Sequence, residues 1–211
     1  MNTIEALVTR RSCRAYTSEP VAPELLDQII EAGTYAPTGM GRQSPIIVAI
    51  TNKEVRDRLS RINARVMDSE DDPFYGAPAV LVVLARKDVG THVYDGSLVM
   101  GNMLNAAHEL GLGSCWIHRA KEEFEAPEGR AILEGLGIDA DAYEGIGNCI
   151  VGHAAEPAPE AAPRRSSPRG RTAPRAESAR SARKSPGRRR TAPRPWPRRR
   201  GRIPGRSRSR P

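Results

Sequence analysis

The charge of this 211-residue chain changes abruptly near residue 164, and the change limits how much of the chain can form a folded core. Residues 164–211 hold 19 of the 33 Lys and Arg residues but one of the 25 acidic residues, so this segment carries +18 and residues 1–163 carry −10. The hydrophobic residues of the basic segment are five alanines, one tryptophan and one isoleucine. Such a segment buries too little apolar surface to offset the entropy of ordering it. We therefore predict a folded domain over residues 1–165 and a disordered, low-complexity tail over residues 166–211.

The composition of this predicted tail permits two interpretations. Arg, Pro, Ala, Gly and Ser dominate it, as expected when GC-rich DNA is read in a wrong frame, and the abrupt change favours a frameshift product over an evolved basic domain. The alternative is a nucleic-acid-binding tail, because arginine-rich disordered segments bind phosphate backbones with little sequence preference. Trp196 is the one aromatic residue of the tail, which leaves almost no stacking platform for bases.

The cysteines, histidines and hydropathy of the chain indicate its compartment. Cys13, Cys115 and Cys149 are widely spaced and form no CxxC pair, which argues against a disulfide framework and fits a reducing environment. The four histidines show no ligand spacing, so we predict no metal site. The N-terminus lacks the apolar run of a signal peptide, and no stretch reaches the roughly 20 apolar residues of a membrane span. We therefore expect a cytoplasmic protein that does not enter a membrane.

Helical and strand patterns alternate through residues 1–165, which indicates a mixed α/β or an α+β fold around one sheet. The run AVLVVLA at residues 79–85 is apolar on both faces and predicts the most buried strand. The helix predicted at 95–113 is apolar nearly all round, so we expect it to be buried, whereas Arg56 is expected on a solvated helix face. The other predicted strands are 46–51, 114–117 and 145–154, and the other predicted helices are 4–11, 23–33, 53–67 and 122–137, the last broken or started at Pro127.

Two glycine-rich stretches, GLGSCW at 111–116 and GIGNCIVG at 145–152, begin with the GxG of a dinucleotide-binding loop. Neither has the third glycine of that motif, because Trp116 and Ile150 occupy its position, and neither follows a strand and opens a helix. We therefore predict no Rossmann site and interpret Gly111 as part of a helix C-cap.

The block RRSCRAY at residues 10–16 places Arg10, Arg11 and Arg14 around Ser12 in a domain that is otherwise acidic. One interpretation is the basic end of a helix, where arginine interacts favourably with the helix dipole. The other is a phosphate site, because guanidinium groups donate charge-assisted, bidentate hydrogen bonds to phosphate oxygens and a serine hydroxyl adds a donor. A positive site within an acidic domain favours the second interpretation.

The same block, followed by ELLDQIIEAGTYAPTGMGRQSPIIVAI, resembles the opening of the nitroreductase family, the homodimeric flavin enzymes. The later blocks DPFYGAPAVLVVLA, DGSLVMGNMLNAAHELGLGSCWIHRA and GIGNCIVGHA agree in order, so that the resemblance extends to about residue 165. It implies an α+β, nitroreductase-like fold with one central mixed or antiparallel sheet flanked by helices. It also implies a homodimer with FMN at the interface.

The resemblance further implies which residues bind FMN, in five groups. The arginine block would hold the phosphate and the pyrimidine edge of the ring, a loop from the partner subunit would cover the flavin, and a turn after the third strand would approach flavin N5. The implied residues are Arg10, Arg11, Ser12 and Arg14 in the block; Pro37, Thr38 and Gly39 with Gln43 in the loop; Asn63 on a helix; Ile117, His118 and Arg119 in the turn; and Arg164 and Arg165 as a second phosphate-binding pair.

The activity implied by the resemblance is that of an FMN-dependent oxidoreductase. A hydride passes from NAD(P)H to flavin N5, and then to a nitroaromatic, a quinone or a similar small-molecule acceptor, in a ping-pong cycle. The flavin carries this chemistry, so we expect no catalytic side chain. Two alternatives stay open: a nucleic-acid-binding protein that acts through its basic tail, and a flavin-binding family member without reductase turnover.

The predicted tail leads to a test by truncation. A chain ended after Arg165 is expected to keep its FMN and to melt at nearly the temperature of the full protein, because the removed residues bury almost no apolar surface. A chain ended after Pro163 is expected to bind FMN more weakly, because it loses the second phosphate-binding pair. Thermal melts and flavin titration measure both effects, and unfolding of the longer truncation would contradict the expectation.

Overall fold

A computed structural model describes residues 2–165, so the predicted tail and its boundary lie outside or at the edge of the described residues. The sheet in this part of the chain is built around β2 (Ala79–Arg86), which contains the predicted apolar run. β1 (Pro45–Ile50) pairs with one edge of β2 and β4 (Tyr143–Gly152) with the other, and β3 (Gly113–Ile117) pairs with β4. All three pairings are antiparallel, which confirms one central sheet.

The helices lie where the sequence predicts them, and their ends follow local capping chemistry. The Asn2 side chain accepts a hydrogen bond from the Glu5 N–H at the first helix, and Asn52 caps the third helix in the same way. Pro127 begins a new helix, as predicted. The helices of the described residues are α1 (Thr3–Thr9), α2 (Pro23–Thr34), α3 (Lys53–Val66), α4 (His92–Glu109), α5 (Ala120–Glu125) and α6 (Pro127–Gly135). None of them is both long enough and apolar enough to cross a membrane.

The alternation of side chains along β2 divides the core into two layers. Leu81 and Val83 belong to a cluster with residues of α2 and α4, whereas Val80 and Val82 belong to a cluster with residues of α3, α5 and α6. Since both faces of the strand are covered by helices, every residue of 79–85 is buried. The class is therefore α+β, with helices on both sides of an antiparallel sheet.

Helix α4 differs from its prediction in both extent and burial. It begins at His92 and ends at Glu109. The helix ends there because Gly111, just beyond it, adopts a left-handed conformation with a φ of +77°. The expectation that this helix is buried nearly all round is wrong for the single chain. Val93, Tyr94 and Leu98 are exposed, with Tyr94 at 73 %.

Arg56 also differs from its prediction, because the structure buries it instead of placing it on a solvated face. Its side chain is 9 % exposed, its Nη2 lies 2.6 Å from Asp72 Oδ2, and its Nε donates to the Ala77 carbonyl oxygen at 3.0 Å. The guanidinium carbon lies 5.4 Å from the centre of the Phe74 ring. The arginine therefore ties α3 to the loop before β2, an interaction between distant segments that helical spacing does not show.

Asp72 is the partner that makes this burial possible. Burial acts to raise the pKa of this carboxyl, but hydrogen bonds from Arg56 and Ser60 and from the N–H groups of Gly76 and Phe74 hold the pKa below its usual value. Ser60 Oγ donates to Asp72 Oδ1 at 2.5 Å and the Gly76 N–H to Oδ2 at 2.7 Å. One carboxylate thus organises the turn that leads into the central strand.

Substitution of Asp72 tests this role. Asp72→Ala is expected to lower the free energy of unfolding by about 1–3 kcal/mol, because it removes one of the two carboxylates that pair with the buried guanidinium of Arg56 and leaves Asp57, at 3.1 Å, as the other. Urea unfolding monitored by circular dichroism measures the change. Asp71→Ala is the matched control, since Asp71 is the exposed neighbour, and a loss of equal size in the two variants would contradict the role of Asp72.

Candidate functional site

The arginine block begins at the end of a helix, because α1 stops at Thr9 and Arg10 is its C-cap residue. The interpretation as a basic helix end therefore holds for the start of the block, and the backbone leaves the helical conformation at Arg10, with a ψ of 132°. Ser12 forms a parallel bridge with Ser114 of β3, and the Cys13 N–H donates to the Ser114 carbonyl oxygen at 3.0 Å. Tyr16 forms a second bridge, with Ala154 beyond β4. The block is therefore held against the end of the sheet, next to the edge strand β3.

A pocket of about 490 Å³ opens beside this block. Its lining includes Arg11, Ser12 and Arg14. Its other residues are Cys13, Ala15, His108, residues 111–113, Ala154 and residues 156–159, of which Glu156 is acidic. Arg11 Nη1 donates to the carbonyl oxygens of Val8 and Arg10 at 2.9 and 2.8 Å, which fixes the orientation of its guanidinium group.

Two arginine nitrogens of the block are buried without a partner within residues 2–165: Arg10 Nη1 and Arg11 Nε. An unsatisfied N–H of a buried guanidinium costs more than a neutral one, because it carries part of a full charge. Oxygens of a phosphate or carboxylate are the acceptors that guanidinium groups bind most strongly. The arginine block is therefore suited to an anionic ligand.

A second pocket, of about 370 Å³, lies on the other side of Arg14, which lines both. The residues after β3 form one wall of this pocket, together with Trp116 and Tyr75. Trp116 Nε1 is buried and has no hydrogen-bond acceptor in the described part of the chain. This nitrogen lies against Gly147 of β4, within the packing of the sheet. Ile117, His118 and Arg119 all line the second pocket, as do Asp71 and Asp72.

The turn formed by Ile117, His118 and Arg119 is stabilised by hydrogen bonds with Asn63. Asn63 Nδ2 donates to the His118 carbonyl oxygen at 2.8 Å, and Asn63 Oδ1 accepts from Arg119 Nε at 3.0 Å. Arg119 adopts a φ of +77°, which is uncommon for a residue with a side chain. Asn63 is fully buried on α3, so the structure places it under the turn and away from the pocket wall.

The loop of Pro37, Thr38, Gly39 and Gln43 is anchored to α4 and lines neither of the two pockets. The Gly39 N–H donates to Asp95 Oδ1 at 2.9 Å, and the Gln43 N–H donates to Thr38 Oγ1 at 3.0 Å. A Cβ on Gly39 would overlap Thr91 Oγ1, so this close approach requires glycine.

The second predicted pair is Arg164 and Arg165. Both residues are exposed at the end of the described chain, and neither lines the two pockets. The structure therefore brings Arg11, Ser12, Arg14 and the turn after β3 to the lining of two pockets, and this lining includes neither Arg10 nor the loop.

Sequence reasoning missed a buried polar cluster next to the turn. Glu123 of α5 and Asn148 of β4 are both fully buried, and Asn148 Nδ2 donates to Glu123 Oε2 at 2.6 Å. Burial raises the pKa of Glu123 to about 8, although hydrogen bonds from Asn148 and Asn63 act in the opposite direction. Asn148 gave a signal, because it interrupts an apolar strand sequence, but Glu123 gave none among the neighbouring acidic residues.

The raised pKa of Glu123 has a consequence for stability. Between about pH 4.5, the ordinary pKa, and about pH 8, the folded protein keeps a proton that the unfolded chain loses, so stability falls as the pH rises through this range. Glu123→Gln removes this contribution. Thermal melts from about pH 5 to about pH 9 are expected to show a shallower fall in Tm for Glu123→Gln than for wild type. Glu122→Gln, at the exposed neighbour, is expected to keep the wild-type slope.

Comparisons with known proteins agree with this fold. The model of the nitroreductase family matches residues 7–153. A crystal structure of a nitroreductase with bound FMN from Bacteroides fragilis is similar to this chain with a TM-score of 0.71 and 28 % identity, over 80 % of this chain and 97 % of that one. A nitroreductase with bound FMN from Desulfitobacterium hafniense has a TM-score of 0.69 and 26 % identity, over 78 % and 95 %.

Curated relatives are similar over a shorter part of their length. An FMN reductase (NAD(P)H) of Bacillus subtilis is 42 % identical over 128 residues, which are 53 % of this chain and 51 % of the relative. An NADPH-flavin oxidoreductase of Vibrio harveyi is 28 % identical over 153 residues, or 64 % of each protein. This chain thus spans about half to just under two thirds of these relatives. Since the family model covers the larger part of the chain and the fold agrees with it, the chain belongs to the nitroreductase family.

Proposed function

We propose that this protein binds FMN and acts as an NAD(P)H-dependent flavin oxidoreductase. The observation that carries the proposal is the pair of buried, unpartnered guanidinium nitrogens, Arg10 Nη1 and Arg11 Nε. They belong to a block that is paired to β3, in a chain that is similar to nitroreductases whose structures contain FMN. Arg11 lines the first pocket, whereas Arg10 lines neither pocket. The donors therefore fit the phosphate of that cofactor.

The two pockets suggest which residues would bind each part of the cofactor. Arg11, Ser12 and Arg14 line the first pocket, and with Arg10 they offer the charge and the donors that a phosphate needs. Arg14 also lines the second pocket, where a positive charge favours the electron-rich pyrimidine edge of a flavin ring. The turn at Ile117–Arg119 would lie along the ring, and Asn63 would act on it only through this turn.

The remaining predicted residues fit a second copy of the chain better than the single chain. Tyr35 and Met40 are exposed in and next to the loop, and Val93, Tyr94 and Leu98 are exposed on α4. These apolar side chains offer an area that a dimer would cover. The anchored loop of Pro37–Gly39 and Gln43 would then face the pockets of the partner subunit. We keep Arg164 and Arg165 as a proposed phosphate-binding pair, to be tested by truncation.

When bound, FMN supplies the centre that accepts a hydride from NAD(P)H and passes it to a nitroaromatic, a quinone or a similar acceptor in a ping-pong cycle. The residues of the chain bind and orient the cofactor, and no side chain is assigned as an acid or a base. A cytoplasmic location fits this use of NAD(P)H. Nucleic-acid binding depends on residues outside the described ones, so no structural observation favours it over the flavin function.

The absorption spectrum of the purified protein is the first test. The protein is expected to be yellow and to release FMN, not FAD, on denaturation. Oxidation of NADH or NADPH in the presence of a quinone or a nitroaromatic then separates an oxidoreductase from a flavin-binding protein without turnover. Addition of FMN that leaves the spectrum of free flavin unchanged would contradict the proposal.

Single substitutions test the arginine block. Arg11→Ala and Arg14→Ala are each expected to weaken FMN binding about tenfold to a hundredfold, because each removes a charge-assisted hydrogen bond worth roughly 1.5–3 kcal/mol. Arg58→Ala is the control, since Arg58 is exposed on α3 and lines neither pocket. Quenching of flavin fluorescence measures the dissociation constants. Equal losses for Arg14→Ala and Arg58→Ala would mean that the block is an ordinary charged surface.

A further inference from the structure

Glu123 is a buried ionisable group that the proposed flavin chemistry does not use. Its helix, α5, lies directly on the sheet, because a Cβ on Gly145 of β4 would overlap the carbonyl oxygen of Ala120. A Cβ on Gly129 would overlap the carbonyl oxygen of Glu123 itself. These two backbone contacts place α5 directly between β4 and α6. Glu123 therefore lies in the interior, with 0 % of its surface exposed. A carboxyl group at such a position needs partners.

The partners of Glu123 connect it to the turn after β3. Asn148 donates to its Oε2 at 2.6 Å, the Glu123 N–H donates to the Arg119 carbonyl oxygen at 2.9 Å, and the amide of Asn63 acts to lower the pKa of the carboxyl. Asn63 is also the residue that bonds the His118 carbonyl oxygen and Arg119 Nε. One amide therefore lies between the buried carboxyl group and the turn that lines the second pocket.

The cluster has more acceptors than donors when Glu123 is ionised. Glu123 Oε1 and Asn148 Oδ1 are both buried and have no partner among the described residues. Two buried acceptors without donors are costly, whereas a protonated carboxyl supplies one O–H donor to the same cluster.

We propose that Glu123 is a positioning residue for the cofactor: through Asn63 it holds the turn at His118 and Arg119 in the shape that receives FMN. This inference rests on the proposed function. The neutral acid adds a donor to a cluster with two unpartnered acceptors, and Asn63 keeps its two hydrogen bonds to the turn. The carboxylate attracts the guanidinium of Arg119 and the N–H groups of Asn63, which are the groups that define the turn.

The groups that face Glu123 are few, so its ionisation dominates the local charge. Arg119, at the start of α5, lowers its pKa and Glu122 raises it, while α3 and β4 present the uncharged amides of Asn63 and Asn148. With burial added, the pKa is raised to about 8. FMN is therefore expected to bind more tightly to the neutral form, to weaken above about pH 8, and to bring about proton uptake on binding near that pH.

The experiment titrates the purified chain, freed of flavin, with FMN from about pH 7 to about pH 9.5, using quenching of flavin fluorescence. Wild-type protein is expected to lose about tenfold in affinity over this range, because a rise of about one unit in the pKa of Glu123 on binding corresponds to a tenfold change in the dissociation constant. Glu123→Gln is expected to lose less than about twofold. Glu122→Gln is the matched control on the same helix and is expected to follow wild type. Calorimetry near pH 8 in two buffers of different ionisation enthalpy is expected to show proton uptake for wild type and none for Glu123→Gln.

Each outcome decides the proposal. A pH-independent affinity of the wild-type protein overturns it, as does a Glu123→Gln variant that follows the wild-type curve. If Glu123→Gln does not fold, Glu123→Leu replaces it, with weaker binding at every pH but the same flat profile expected. The absence of FMN binding at any pH overturns the proposed function as well, whereas binding with the same profile in all variants overturns the role of Glu123 alone.

Discussion

The bridge between Ser12 and Ser114 is the contact on which the candidate site depends, because it attaches the N-terminal segment to the edge strand β3. This strand is five residues long, and the turn at Ile117–Arg119 follows directly from its other end. At about 3.3 Å per residue, the arginine block and the turn are set roughly 10 Å apart on one rigid element. Arg14 extends between them and lines both pockets. A site assembled from distant parts of the sequence is thus positioned by a single short strand.

The elements that could be predicted from the sequence are those with a strong local pattern. The run at 79–85 is apolar on both faces, and the structure covers both faces with helices. The break at Pro127 and the left-handed Gly111 follow from the backbone chemistry of proline and glycine. The charge of the arginine block and its resemblance to the nitroreductase family predict a binding site, but they do not predict the conformation of its backbone. Local sequence carries this information because each feature depends on neighbouring residues.

What could not be predicted depends on partners far away in the chain. Arg56 has the spacing of a solvated helix residue, and it is buried because Asp72 and Ala77 lie 16 and 21 residues further on. Glu123 lies among acidic residues, and only its contact with Asn148, 25 residues away, distinguishes it from them. The prediction that α4 is buried nearly all round is wrong for a similar reason. An apolar helix face indicates burial, but it does not indicate whether the same chain or another one covers it.

The close contacts of Gly145 and Gly129 with the backbone of α5 affect how fast Glu123 can gain or lose its proton. Both contacts are made by main-chain atoms, so α5 cannot move away from the sheet by a change of side-chain rotamer. A proton can leave the sealed carboxyl of Glu123 only when the packing of this helix opens transiently, and such openings are rarer in a core than in a loop. After a sudden change of acidity, the carboxyl therefore reaches its new state with a delay set by the opening rate. The turn beside it retains for that interval the shape that it had before the change.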